Sequence, residues 1–351
     1  MLNSLSKQTA REAVQLRRVP ERWFAIASLV VVAFFFSGPL WASSDLMRSL
    51  VNFFSLLALA QMWNLLAGYA GMLSIGQQAW IGLGGYTLFV VADDLQMPLI
   101  LGFVVAALVS GLLALPASWL LFRLRGGYFA VGTWVIAEVF RLLVSNNVDW
   151  LRGGYGRTLN LSDLDRDTRE IITYLLAVVI GLGATGLVFW LMRSRIGLAL
   201  TAIRDSDVAA GSLGIHTTRM KLFVYVLCAA ATGVVGSLIY LNLLRVTPDA
   251  AFSSQWTAFM IFIVVIGGIG TIEGPILGAI IFYFVRENLA DFGEWSLIIL
   301  GAVAIITMLV APEGIWGIIK RRFTLEVFPV SRWLAVAGKS RQPKEVAEQV
   351  K

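Results

Sequence analysis

Apolar residues in this chain come in runs too long for one face of a soluble helix. Ten segments stand out: Trp23–Phe36, Leu46–Leu66, Ala70–Ala92, Leu99–Phe122, Tyr128–Val144, Ile171–Met192, Leu222–Leu244, Trp256–Ile272, Pro275–Asp291 and Trp295–Ile319. Most approach the ~20 residues that cross a ~30 Å hydrocarbon core as a helix. Lipid offers the backbone no hydrogen-bond partner, so a helix is the form such runs take. The pattern predicts an all-α, polytopic transmembrane helix bundle of about ten helices. Trp256–Ile272 and Pro275–Asp291 lie two residues apart, which predicts a tight hairpin. The first run has two readings, a retained helix or a signal peptide cut near Ala42-Ser43. We take it as retained.

Four polar stretches interrupt the pattern: residues 1–22, Ser145–Glu170, Arg193–Lys221 and the tail from Lys320. Arg193–Lys221 is the unusual one. It is a compact island in mid-chain with five basic and two acidic residues. Leu198, Thr201, Ala202, Asp205 and Ala209 follow helical spacing. Small residues continue through Ala210 and Gly211, and Gly214 is suited to a left-handed helix stop. One or two short helices at the membrane surface follow. Spacing alone leaves two readings open, an interfacial segment without a partner or a docking element for a soluble partner. In the second reading Asp205 and Asp207 offer charge contacts.

Composition agrees with a lipid-facing fold. Of 351 residues 58% are hydrophobic and 14% charged, against about 25% charged in soluble domains. Mean hydropathy is +0.78. With the N-terminus inside, 20 of the 28 Lys and Arg fall on inner segments, so the net charge of +6 reads as orientation and not as nucleic-acid binding. Both termini are then cytoplasmic. The outer Ser145–Glu170 loop, with four arginines, fits this rule least well. The single Cys228 reads as a small core residue. The single His216 reads as solvated, and one His with one Cys excludes metal sites built from several of either.

Few residues suggest chemistry. Ala67–Tyr86 holds six glycines with Ser74, Gln77 and Gln78. Adjacent amides at membrane depth need partners. They either border a polar pathway through an interrupted helix or bond across packed helices. Glu138 and Arg141 share a helix face and form a structural ion pair or flank the solute route. Gly270, Gly274 and Gly278 make two successive GxxxG spacings around a turn containing Glu273 and Pro275, read as helix packing. Gly181–Gly186 matches GxGxxG but lies in a span with no preceding strand, so it is accidental. Gly338-Lys339-Ser340 resembles the end of a P-loop, but Trp333 stands where its first glycine belongs. No catalytic constellation is visible.

Several stretches together resemble the inner-membrane permease subunits of bacterial branched-chain amino-acid ABC importers, the high-affinity type with paired, non-identical permeases. They are Asn64-Leu-Leu-Ala-Gly68 through Leu73-Ser-Ile-Gly76, Arg125-Gly-Gly-Tyr-Phe129, Ala202-Ile-Arg-Asp205 with Ala209-Ala210 and Leu213-Gly-Ile215, Gly267-Gly-Ile-Gly-Thr271 with Gly274-Pro275, and Ala311-Pro-Glu-Gly314. The resemblance covers roughly residues 45 to 320. It implies that the island's core is a coupling segment touching an ATPase, with Arg204, Asp205, Asp207, Ala209, Ala210 and Gly214 as its residues. The residue readings above, and not the resemblance, leave Asn64, Ser74, Gln77, Gln78, Tyr86, Glu138 and Arg141 as candidates for the translocation path. The resemblance also implies a second homologous permease, two ATPase subunits that bind ATP in place of this chain, and an external solute-binding protein. The expected organisation is a cytoplasmic segment 1–22, a permease domain 23–319 with the coupling loop 193–221, and a basic cytoplasmic tail 320–351. Gln77-Gln78 stands where relatives often carry histidine, and Gly211 where many carry a larger or acidic residue. Relatives also import urea, short amides or aromatic carboxylates.

Overall fold

The computed structural model describes residues 17–18, 21–160, 165–289, 295–323 and 325–328. Most of the segment 1–22, most of the tail and the Gly338–Ser340 motif lie outside the described residues. The α-helices of six or more residues are α1 Glu21–Phe36, α2 Ser44–Asn64, α3 Gln78–Phe89, α4 Leu99–Leu121, α5 Gly127–Asn146, α6 Arg166–Arg193, α7 Arg195–Asp205, α8 Asp207–Ser212, α9 Thr217–Leu243, α10 Ser254–Gly267, α11 Glu273–Asn288, α12 Trp295–Val310 and α13 Gly314–Phe323. Among the described residues, seven segments are long and apolar enough to cross a membrane.

The other predicted spans differ for local reasons. Ala70–Ala92 is not one helix: residues 70–77 run as turn and irregular backbone, and α3 begins only at Gln78. Gly71 sits at φ +68°, in the left-handed region that ends a helix cheaply only at glycine. α11 has 16 residues, and the described apolar part of α1 spans Ile26–Phe36. One of the seven, Ile298–Phe323, runs through two helices, α12 and α13, broken at Ala311-Pro312-Glu313. Pro312 lacks the N–H a continuing helix requires, and the residue before it disfavours helical backbone.

α2 is the central post. Every residue from Phe54 to Ala70 is buried, packed by α6, α9, α10 and α11. Ser43 caps its start, its hydroxyl accepting from Leu46 N–H at 3.4 Å. α9 is the second post, against α2, α3 and α4. α3 and α9 meet backbone to backbone: a Cβ at Gly84 would overlap the Gly233 carbonyl, and one at Gly236 the Ile81 carbonyl. Ser237 Oγ donates to Gly84 O at 2.9 Å across the same contact. Small residues serve helix packing in lipid because burial there gains no hydrophobic term. Cys228 is buried in this core, and its thiol faces Met62 O at 3.5 Å. Gly181, from the accidental GxGxxG, packs on the Phe54 ring. Ile100, Val104, Leu108, Leu112, Leu115 and Trp119 form an exposed stripe along α4, an apolar surface that lipid or another membrane chain would cover.

The chain directions define two ends. α2 and α6 join at one end through Arg48 Nη2 and Glu170 Oε1 at 2.7 Å. Here Arg157–Thr158 also pairs antiparallel with Arg245–Val246. The island lies at the other end, with Phe122–Arg125, the end of α2 and the start of α13.

Candidate functional site

The island is built of two short helices joined at one residue. Ser206 is extended (φ −160°), ends α7 and caps α8, its hydroxyl accepting from Ala209 N–H at 3.2 Å. Ser194 caps α7, accepting from Ile196 N–H at 3.1 Å. Gly197, Leu200 and Ile203 turn inward and are buried. α8 stops at Gly214, at φ +83°, where Ile215 N–H donates back to Ala210 O at 3.2 Å.

The predicted coupling residues divide between two faces. Ala210 is buried against the bundle, while Arg204, Asp205, Asp207, Ala209 and Gly214 are exposed. Both aspartates already have partners inside the island. Asp205 Oδ1 accepts from Arg204 Nε and Nη2 at 3.1 and 3.0 Å. Asp207 Oδ2 accepts from Lys221 Nζ at 2.5 Å. The outward surface is apolar instead: Val208 is 82% exposed and Leu213 80%. Sequence reading gave neither a docking role, although an apolar residue in a polar island is the available signal. Beside Val208 lies a cleft of about 650 Å³ between residues 71–73, 122–129 and the island, lined by Phe122, Arg125, Phe129, Asp207 and Lys221. His216 is exposed at the cap position of α9.

Above the island the end of α2 is tied down. Asn64 Nδ2 donates to Thr271 O at 2.7 Å, and its Oδ1 accepts from Gly270 N–H at 2.8 Å. Gln61 Nε2 donates to Ile272 O at 3.0 Å. Gly270 therefore lies in the α10–α11 connection, at φ +76°, and not on a helix. Of the three packing glycines only Gly274 and Gly278 stand on α11, against the Gly268 and Ile263 carbonyls.

The polar residues around the start of α3 are buried and bonded across helices. Trp63 Nε1 donates to Ser74 O at 2.8 Å. Gln77 Oε1 accepts from Thr232 of α9 at 3.4 Å, and Gln77 Nε2 donates to Ser74 Oγ at 3.4 Å. Gln78 Oε1 accepts from Thr257 of α10 at 2.5 Å. The amides thus fasten α3 between α9 and α10. Tyr86, a turn and more further on, stacks on Phe252 with ring centres 6.3 Å apart, and its buried hydroxyl has no hydrogen-bond partner among the described residues.

At the far end, ion pairs hold loops to helices. Arg141 binds Glu138 (Nη2–Oε1 2.5 Å) and Asp249 (Nη1–Oδ1 2.7 Å), joining α5 to the four-residue helix Pro248–Ala251 before α10. Arg157 is buried and forks onto Asp94 just beyond α3, at 2.5 and 2.8 Å. Those hydrogen bonds hold the Asp94 carboxyl below its usual range. Arg166 reaches Glu170 at 3.1 Å. Two of the four arginines that fit the charge rule poorly are therefore paired with acids in the folded chain. Sequence reading missed Asp94 and Arg157, which lie 63 residues apart. Among the described residues no group of three or more His, Cys, Asp or Glu is placed to hold a metal ion.

A family model described as "Branched-chain amino acid transport system / permease component" matches residues 46–308. The chain is similar to the high-affinity branched-chain amino acid transport system permease protein LivM of Salmonella typhimurium, 30% identical over 282 residues, covering 72% of this chain and 65% of that protein. LivM of Escherichia coli is 29% identical over the same shares. The chain thus spans slightly less than two thirds of these relatives' length. The LivH permease of Salmonella typhimurium is 32% identical over 143 residues, 40% of this chain and 46% of LivH. No solved structure matches the chain.

Proposed function

The chain belongs to the branched-chain amino acid transport permease family, and we propose that it is the membrane-spanning subunit of an ABC importer. In this reading it carries branched-chain amino acids inward across the bacterial inner membrane, with both termini in the cytoplasm. α3 and α11 join the seven longer segments within the membrane, and α1 adds a tenth element. Its partners are a second homologous permease, two ATPase subunits that bind the ATP, and an external solute-binding protein. The chain itself performs no covalent chemistry.

The observation that carries this reading is the island. Two capped helices sit beneath the bundle and present Val208 and Leu213 outward, beside Asp205 and Asp207, which are paired with Arg204 and Lys221. Water alone does not favour such an arrangement, and an apolar groove on a soluble subunit does. A second line of support is the placement of charge. An ion-coupled transporter carries ionisable groups at membrane depth. Among the described residues Arg157 is the one charged side chain in the buried set, and it pairs with Asp94 at the outer end. The Glu138–Arg141–Asp249 network also belongs to that end, where it shapes the entrance to a solute route and does not bind solute at mid-membrane. Gln77, Gln78, Ser74 and Asn64 support the route by holding the helices that border it.

Transport tests this directly. Deleting the gene is expected to abolish high-affinity, ATP-dependent uptake of labelled leucine, isoleucine and valine, and a plasmid copy is expected to restore it. Unchanged uptake of all three in the deletion strain would contradict the substrate assignment.

A further inference from the structure

The Arg204 side chain reaches from the island into the backbone at the end of α2. Its Nη1 donates to Gly68 O at 3.1 Å. The target is unusual. Beyond Asn64, α2 widens into a π-helical turn over Leu65–Tyr69, with Ala70 N–H on Leu65 O at 3.2 Å and Met72 N–H on Leu66 O at 2.9 Å. Such turns are less regular than the α-helix and recur at functional sites. Carbonyls at a helix C-terminus lack partners and carry partial negative charge. Arg204 supplies both the donor and the countercharge, and Asp205 orients the guanidinium from its other edge.

The same point is fixed to a third segment. A Cβ added to Gly68 would stand 2.6 Å from Gly270 N, so the two backbones touch. Asn64, one turn earlier on α2, holds Gly270 N–H and Thr271 O. Gly71, where the chain leaves α2, is also close-packed on Arg204: a Cβ there would lie 3.4 Å from the Arg204 Cα. Arg204 is separated from the start of α8 only by Asp205 and Ser206. A tilt of α8 therefore moves Arg204, and Arg204 bears on the end of α2.

We propose that Arg204 is a positioning residue, a strut that carries displacement of the island into the π-helical end of α2 and, through Asn64 and Gly270, into the α10–α11 connection. This rests on the docking reading above but assigns Arg204 an inward task, not contact with the ATPase. Docking falls to the apolar surface of α8. The strut joins three segments that are distant in sequence, which is what turning one surface contact into a change of access requires.

The test uses the complex as it purifies with its ATPase subunits, reconstituted in liposomes with the solute-binding protein. R204Q is expected to keep the ATPase subunits bound and ATP hydrolysis running, while labelled leucine moved per ATP falls about tenfold, the scale of one lost charge-assisted hydrogen bond. R204K, which keeps a donor and a charge, is expected to recover much of that loss. N64A is expected to resemble R204Q, and the double variant to be no worse than either alone. Normal leucine per ATP in R204Q overturns the proposal, and so does loss of the ATPase subunits, which would make Arg204 a docking residue. Additive losses in the double variant overturn it too. If R204Q fails to reach the membrane, N64A is read by the same transport ratio. V208D separates the two readings: ATPase subunits retained there would contradict docking through α8 and leave the strut result standing on its own.

Discussion

Backbone carbonyl oxygens set how closely α3 and α9 approach. Any side chain at Gly84 overlaps the Gly233 carbonyl, and a backbone oxygen cannot swing away as a side-chain tip can. Gly84→Val is therefore expected to cost at least the ~1–3 kcal/mol typical of overpacking and to sharply reduce the monodisperse fraction in detergent. Gly183→Ala, where an added Cβ meets nothing within 4 Å, serves as the control and is expected to leave that fraction unchanged. A thermal unfolding series on both variants checks this. The glycine density of Ala67–Tyr86 was readable in the sequence as a sign of close packing. Its partner was not, because Ser237 and Gly84 meet across 153 residues. The same distance problem hid the roles of Gln77 and Gln78. Their need for partners followed from membrane burial, but Thr232 and Thr257 are single hydroxyls inside apolar runs and give no local signal.

Among elements, the long spans were legible and their breaks less so. Ser44–Tyr69, Leu99–Leu121, Gly127–Asn146, Arg166–Arg193 and Thr217–Leu243 match the hydropathy reading closely, since a continuous apolar run leaves the backbone one good option. The breaks at residues 70–77 and at Ala311-Pro312-Glu313 interrupt runs that stay apolar, so hydropathy passes through them. Pro312 was a usable stop signal. The fork from Arg157 to Asp94 fixes the 145–160 loop to the end of α3, and its pH dependence has a definite sign. The Asp94 carboxyl is lowered by hydrogen bonds from Arg157. Its stabilising contribution is complete above the ordinary carboxylate pKa of ~3.9 and is lost as pH falls through Asp94's lower folded value. Loop cleavage by an acid-tolerant protease is expected to rise only below that ordinary value in the parent chain. Asp94→Asn is expected to make the loop cleavable at neutral pH and to remove the acid step.

For the whole molecule, the arrangement separates two tasks. One end is held by ion pairs between loops and helices: Arg48–Glu170, Arg141–Asp249 and Arg157–Asp94. The other end carries the basic residues of the island and, on α13, the Lys320-Arg321-Arg322 turn. The island's existence and its helical content were legible because polar residues interrupt an apolar chain. Its outward face was not. Asp205 and Asp207 drew attention as charges, but both are satisfied by Arg204 and Lys221, so reversing them would disturb the island itself and test docking poorly. Val208 and Leu213 offer the sharper test because they project outward and bond to nothing the fold needs. The decisive measurement is the amount of ATPase subunit that co-purifies with the V208D/L213D double variant from membranes. If the island drives this permease, the variant inserts at normal levels but retains little ATPase and imports no leucine. ATPase recovered at the parent level, with leucine uptake intact, would contradict it.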